Sequence, residues 1–188
     1  TRFWNNSITI PLEELEISPA AKKLLKRALF YEPLPFVERV IFIATPHGGS
    51  YVAASWRGRL ARRFISISDT VMEPLEELLA ADAYTEAARS MKNVPKSIDN
   101  MDPENSFVQI LGSTPVSPDV SAHSIIAVKN PKDPREKWKD GVVSYSSAHI
   151  ENVASELVVH SGHSTQSDPE NIEEVRRILL EHLEINDQ

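Results

Sequence analysis

Three short apolar runs divide the chain, each followed by a polar loop, and helical spacing occupies much of the sequence between them. Ser18-Pro19 precedes Ala20 to Phe30, which supplies an N-cap, a proline in the first turn and an apolar stripe at helical spacing, so a helix is expected there. Pro33 and Pro35 stop it. Val37 to Thr45 is a β-branched run too apolar to alternate, which predicts a strand buried on both faces, central and parallel. From Tyr51 to about Met101 the composition is rich in Ala, Leu, Glu and Arg, with Leu75, Leu78, Leu79 and Ala83 at helical spacing, and about two or three helices are expected. Lys92 to Ser106 is polar, and Phe107 to Leu111, ending at Gly112, reads as connecting structure over a surface, a candidate lid. His123 to Val128 predicts a second strand and Glu156 to His160 a third. Asp168-Pro169 opens a last helix with Ile172, Val175, Ile178, Leu179 and Leu183 expected on one face. Strand, loop, strand and closing helix make an α/β alternation.

Composition narrows the chemistry. At 188 residues and 41% hydrophobic, the chain has enough for one domain with a core, and one unit is expected over 1–188. Lys and Arg number 20 against 27 Asp and Glu, a net charge of −7 that disfavours a nucleic-acid partner. The absence of cysteine excludes disulfides, thiolate metal sites and Cys nucleophiles. With 6 glycines there is no glycine-rich phosphate cradle. No apolar run approaches the roughly 20 residues of a spanning helix, so no transmembrane segment is expected. The opening Thr1-Arg2-Phe3-Trp4 carries no signal-peptide layout and gives the expectation of a cut N-terminus; localisation stays open.

In open α/β sheets reactive groups collect past the carboxyl ends of the strands, where several loops converge. Asp140, beside Gly141, follows the second strand, and His163, beside Gly162, follows the third. Taken singly, Asp140-Gly141 is an ordinary turn pair and His163 a loop histidine. Taken together they are the acid and base of a nucleophilic triad, a carboxylate that fixes the tautomer of an imidazole. His160 and His163, with His149 or Asp168, can be drawn as a metal site, but three-residue spacing at a strand end puts the rings on opposite faces; no metal and no cofactor is expected. Arg57, Arg59, Arg62 and Arg63 suit either an anionic headgroup or a solvated helix face.

Val40-Ile-Phe-Ile-Ala-Thr-Pro-His-Gly-Gly-Ser50 resembles the strand and loop that follow the nucleophile helix in the lipase and esterase branch of the α/β-hydrolases, inositol-deacylase-like relatives included. Asp140-Gly-Val-Val-Ser-Tyr-Ser-Ser-Ala-His149 and Ser155-Glu-Leu-Val-Val-His-Ser-Gly-His163 resemble that branch's acid and histidine loops. The likeness runs from about residue 11 to the C-terminus. It implies an α/β-hydrolase-like fold, the C-terminal part of the parallel sheet, with 51–106 as a helical, lid-like insertion. It also implies Asp140 as triad acid, His163 as base, and a hydrophobic or lipid-like carboxylic ester as substrate.

The sequence departs from the family at one place. The nucleophile elbow is G-x-S-x-G, whose glycines permit the strained strand-to-helix turn. Ser50 and Ser164 have Gly48 and Gly162 two residues before them, but Val52 and Gln166 two residues after. In the family the elbow precedes the segment corresponding to residues 1–36, so the expectation is a Ser upstream of residue 1. Such a chain, inactive alone, would be completed by the N-terminal part of the same protein or by a homo-oligomer. Two alternatives stay open: a non-catalytic pseudo-hydrolase acting as a binding module, and a nucleophile at Ser50. His47 is read as part of a turn that shapes the backbone.

Overall fold

The computed structural model describes residues 11–30, 34–54 and 101–186. The helices expected between 55 and 100, most of the lid-like insertion, the arginines at 57, 59, 62 and 63, and residues 1–10 lie outside the described residues. The chain divides into two compact units, Leu34–Val52 with Pro115–Gln188, and Thr1–Pro33 with Ala53–Thr114.

In the second of these units, α1 (Pro19–Leu29) begins as the sequence predicts: Ser18 Oγ accepts the Ala21 amide at 3.2 Å, and Pro19 fills the first turn, where its missing N–H costs nothing. Lys26 and Arg27 lie in its last turn, complementing the carbonyl end of the helix. Ala21 and Leu25 are buried, as are Leu12 and Leu15 around a preceding 3₁₀ turn. Residues 106–112, expected as connecting structure, instead form a short helix, α3 (Ser106–Gly112), which follows the single turn α2 (Tyr51–Ala54) in chain order. It stops where the hydroxyls of Ser113 and Thr114 both donate to the Ile110 carbonyl, competing with further helical bonding.

The other unit contains the sheet. β1 (Arg39–Ile43), β2 (Ser121–Ala127) and β3 (Ser155–Val159) are parallel, in the order β1-β2-β3. Each strand lies within the apolar run that predicted it, give or take two residues. β2 is central among the described strands and buried from Ala122 to Ala127, whereas β1 is only half-buried along its length, the reverse of the expectation for the first run. Helices cover both faces. On one, α5 (Pro169–Asn186) packs Val175 against Ala44, Ile125, Ala127 and Val159. On the other, Val143, Tyr145 and Ala148, the last two in the short α4 (Tyr145–Ala148), pack on Ile126 and Val128. Fully burying each Val or Ile here contributes about 1.5–3 kcal/mol.

The inward stripe of α5 is Asn171, Glu174, Val175, Ile178, Glu181 and His182, spaced i, i+3, i+4, i+7, i+10 and i+11. Of the five apolar residues expected on one face, only Val175 and Ile178 turn inward; Ile172, Leu179 and Leu183 are exposed. The helix is rotated because its inner face also carries carboxylates into a polar network beneath the sheet. There Arg39 Nη1 donates to His123 Nε2 at 2.5 Å and to Glu181 at 3.2 Å, and His123 Nδ1 lies 2.7 Å from Ser155 Oγ. Ser155 Oγ then donates to Glu174 at 3.1 Å, and Arg177 binds both Glu174 and Glu181.

Candidate functional site

The loops that leave the carboxyl ends of β1, β2 and β3 meet on one side of the sheet, and each is shaped by a specific local device. After β1 the chain turns at Ala44, which holds φ 48°, a left-handed conformation uncommon for a residue with a side chain. Gly49, at φ 83°, completes the Thr45-Pro-His-Gly-Gly turn. His47 packs edge-on against Phe42 at 4.6 Å, and burial lowers its pKa, which keeps the ring neutral.

The acid loop is a tight hairpin closed by an antiparallel bridge between Lys139 and Ser144. Asp140 Oδ1 accepts the amides of Val142 and Val143, both at 2.7 Å, which an Asp at the head of a turn is built to do. Gly141 carries φ 102°, a conformation strained for any other residue, so the Asp-Gly pair is both a turn and a holder for the carboxylate. Ser144 caps α4 by accepting the Ser147 amide at 3.3 Å.

The first loop is latched to this hairpin. Ser50 Oγ donates to the Val142 carbonyl at 2.6 Å, Ser147 Oγ donates to the Gly49 carbonyl at 2.6 Å, and the Gly48 amide donates to Ser147 at 3.0 Å. Gly48 faces Ser147 in ordinary van der Waals contact, an added Cβ lying 3.4 Å from its Cα. Ser50 is 1% exposed and its oxygen also accepts the Val52 amide, so its hydroxyl is engaged in both directions and turned into the protein. That environment does not suit a nucleophile.

The histidine loop leaves β3 at Val159 and is tied down behind His163. Thr165 is buried and its carbonyl accepts from the Asn171 side chain at 2.9 Å, fixing the loop to the first turns of α5. Asp168 Oδ1 accepts the Glu170 amide, and Pro169 starts the helix.

These loops bring Asp140 and His163 together. Asp140 Oδ2 accepts from His163 Nδ1 at 2.8 Å. The carboxylate side chain is 2% exposed and the imidazole 41%. With Nδ1–H committed to Asp140, the neutral ring presents Nε2 as an acceptor, and no described residue hydrogen-bonds to that nitrogen. The pair is therefore a buried acceptor, satisfied by three donors, holding a half-exposed base in one tautomer.

The remaining histidines are placed elsewhere. His160 Nε2 donates to the Lys129 carbonyl at 2.8 Å. His149 stacks on Tyr145 and bonds Glu156 at 2.5 Å, and that carboxylate raises its pKa. Arg135 lies over the Tyr145 ring and donates to its hydroxyl, while Tyr145 donates to Glu156 at 2.7 Å. No three metal-ligating side chains cluster among the described residues, so His160, His163, His149 and Asp168 do not form one site there. No described helix is long and apolar enough to cross a membrane.

Sequence reasoning did not assign roles to Ser147 and Lys129, and it considered Ser50 only as a nucleophile. The serines of the Pro-His-Gly-Gly-Ser and Ser-Tyr-Ser-Ser runs were visible, but the bonds joining the first loop to the hairpin span 92 and 98 positions. Compared with known proteins, the chain matches no family model, and no curated protein or solved structure matches it significantly.

Proposed function

We propose that Asp140 and His163 are the acid and base of a Ser-His-Asp triad in an α/β-hydrolase-like ester hydrolase, with the attacking serine supplied by sequence outside these 188 residues. The observation that carries this reading is the pair itself: a buried carboxylate on Nδ1 of an imidazole whose Nε2 is left available. The resemblance of the three loops to the lipase and esterase branch adds the reaction class and favours a hydrophobic or lipid-like ester.

In this mechanism His163 Nε2 takes the serine proton as the hydroxyl attacks the ester carbonyl, then returns it to the leaving alcohol. Water repeats the cycle on the acyl-enzyme. Asp140 accepts the Nδ1 proton bond throughout and stabilises the imidazolium without itself being protonated. The Ser50 and Ser147 latch keeps the acid hairpin in place during both proton transfers.

The test is hydrolysis of chromogenic acyl esters of increasing chain length by the intact protein. The reading expects turnover that rises with acyl length and falls by about 10⁴ in Asp140→Asn, the order seen when a triad acid loses its charge. Turnover that survives Asp140→Asn would sink it, and binding of such esters without any turnover would favour the binding-module alternative.

A further inference from the structure

The glycines beside the acid and the base face one and the same side chain. A Cβ on Gly162 would sit 3.3 Å from Lys129 Cε, and a Cβ on Gly141 would sit 3.3 Å from that same carbon and 2.5 Å from Nζ. Real Cβ contacts are seldom that close, so both glycines leave room for the Lys129 stem. One of them directly follows Asp140 and the other directly precedes His163.

The base of this side chain is fixed. The Lys129 amide donates to the Lys139 carbonyl at 3.0 Å, at the neck of the acid hairpin, and its carbonyl accepts from His160 at 2.8 Å, at the end of the third strand. Lys129 thus bonds to the acid loop and the histidine loop through its backbone, and its Cε lies near a glycine of each. Its residue is exposed overall, the usual arrangement for a lysine that lays its methylenes along the protein and leaves the rest in water.

We propose that Lys129 is a positioning residue whose alkyl stem, lying near both Gly141 and Gly162, holds the acid loop and the histidine loop in register and so supports the Asp140–His163 bond. Its link to catalysis rests on the triad reading; its link to the geometry of the pair does not. With the stem in place, closer approach of Gly141 or Gly162 has to displace Cε. Removing the stem lets the loops shift, and a misplacement of the order of 1 Å in catalytic groups costs about 10²-fold in rate.

Lys129→Ala removes the stem, and Lys129→Met keeps an unbranched stem of similar reach while removing the ammonium. In the intact protein, the nitrogen-15 histidine spectrum reports the His163 Nδ1 proton, whose slow exchange depends on its bond to Asp140. The proposal expects Lys129→Ala to broaden that signal and speed its exchange, with kcat on an ester falling about 10- to 100-fold at unchanged KM. Lys129→Met is expected to restore both. Gly162→Ala crowds the same Cε and is expected to perturb the same signal, which gives a reading independent of whether Lys129→Ala folds. An unchanged signal in Lys129→Ala or in Gly162→Ala would overturn the proposal, as would a Met variant as impaired as the Ala variant. A protein with the His163 signal intact and no ester hydrolysis would remove the hydrolase reading and leave the positioning role standing.

Discussion

His163 and His123 belong to the same unit and sit at opposite ends of its sheet, and their two ring nitrogens are engaged in different ways. Both lie within hydrogen-bond distance of an oxygen at Nδ1: Asp140 for His163 at 2.8 Å and Ser155 for His123 at 2.7 Å. The difference is at the other nitrogen. Arg39 donates to His123 Nε2 at 2.5 Å, whereas no described residue hydrogen-bonds to His163 Nε2. His123 is 1% exposed and the His163 side chain 41%. A histidine with both nitrogens committed and no solvent contact is a structural bolt. A histidine held at one nitrogen and open at the other can move a proton.

The surrounding charges reinforce the contrast. Burial and the adjacent Arg39 cation lower the His123 pKa, so the ring stays neutral and passes hydrogen bonds from Arg39 through Ser155 to Glu174. Arg177 holds Glu174 below the usual carboxylate range, completing a network in which each charge has a partner. No described cation hydrogen-bonds to His163 Nε2, and the buried carboxylate of Asp140 is satisfied by backbone amides as well as by the imidazole.

The sharpest way to break this comparison is to remove each histidine in turn. His163→Ala is expected to abolish ester turnover, a loss of about 10⁴ or more in kcat, with the thermal transition moved little because the side chain is half-exposed. His123→Ala is expected to do the converse, lowering stability by about 2–3 kcal/mol through a cavity and unpaired buried donors, while the fraction that remains folded keeps its activity. Denaturant unfolding and steady-state rates on both variants check this. Equal effects of the two substitutions on turnover would erase the distinction.

Ser50→Ala tests the latch. Loss of one buried hydrogen bond to the Val142 carbonyl is expected to cost about 1 kcal/mol of stability, with turnover reduced a few-fold at most. Complete loss of turnover with normal folding would instead make Ser50 the nucleophile.

The smallest effect expected is on pH dependence. The folded pKa of His123 lies below its ordinary value of 6.5, so the unfolded chain takes up the proton first as pH falls. Its contribution to stability is therefore full above about pH 6.5 and is lost as pH drops toward the folded value. For His149, raised by Glu156, the sign is opposite: its contribution is full below 6.5 and is lost as pH rises through the folded value. Melting temperatures from pH 5 to 8 are expected to show a shallower acid limb in His123→Gln and a loss confined to the acid side in His149→Gln.

Much of this was legible in the sequence because it is local. The apolar runs located all three described strands, Ser18-Pro19 and Asp168-Pro169 marked two helix starts, and the Asp-Gly and Gly-His pairs at strand ends pointed to Asp140 and His163. What stayed hidden depends on distant partners. Ile172, Leu179 and Leu183 formed a convincing apolar stripe, but Glu181 is drawn inward by Arg39, 142 positions away, and Glu174 by Ser155 on β3. Helical periodicity cannot register an attraction of that kind. The place of Lys129 was hidden for a related reason: a lysine in a polar loop reads as solvated until Gly141 and Gly162 are seen to face the same carbon.

The most direct test of the central claim is the intact mass of the full protein before and after treatment with a fluorophosphonate, which attaches covalently to an activated serine. The account predicts one added probe per chain on a serine outside these 188 residues, with the addition lost in His163→Ala and retained in His123→Ala. No mass gain in the folded protein, or a gain that persists in His163→Ala, would contradict a working Asp140–His163 pair.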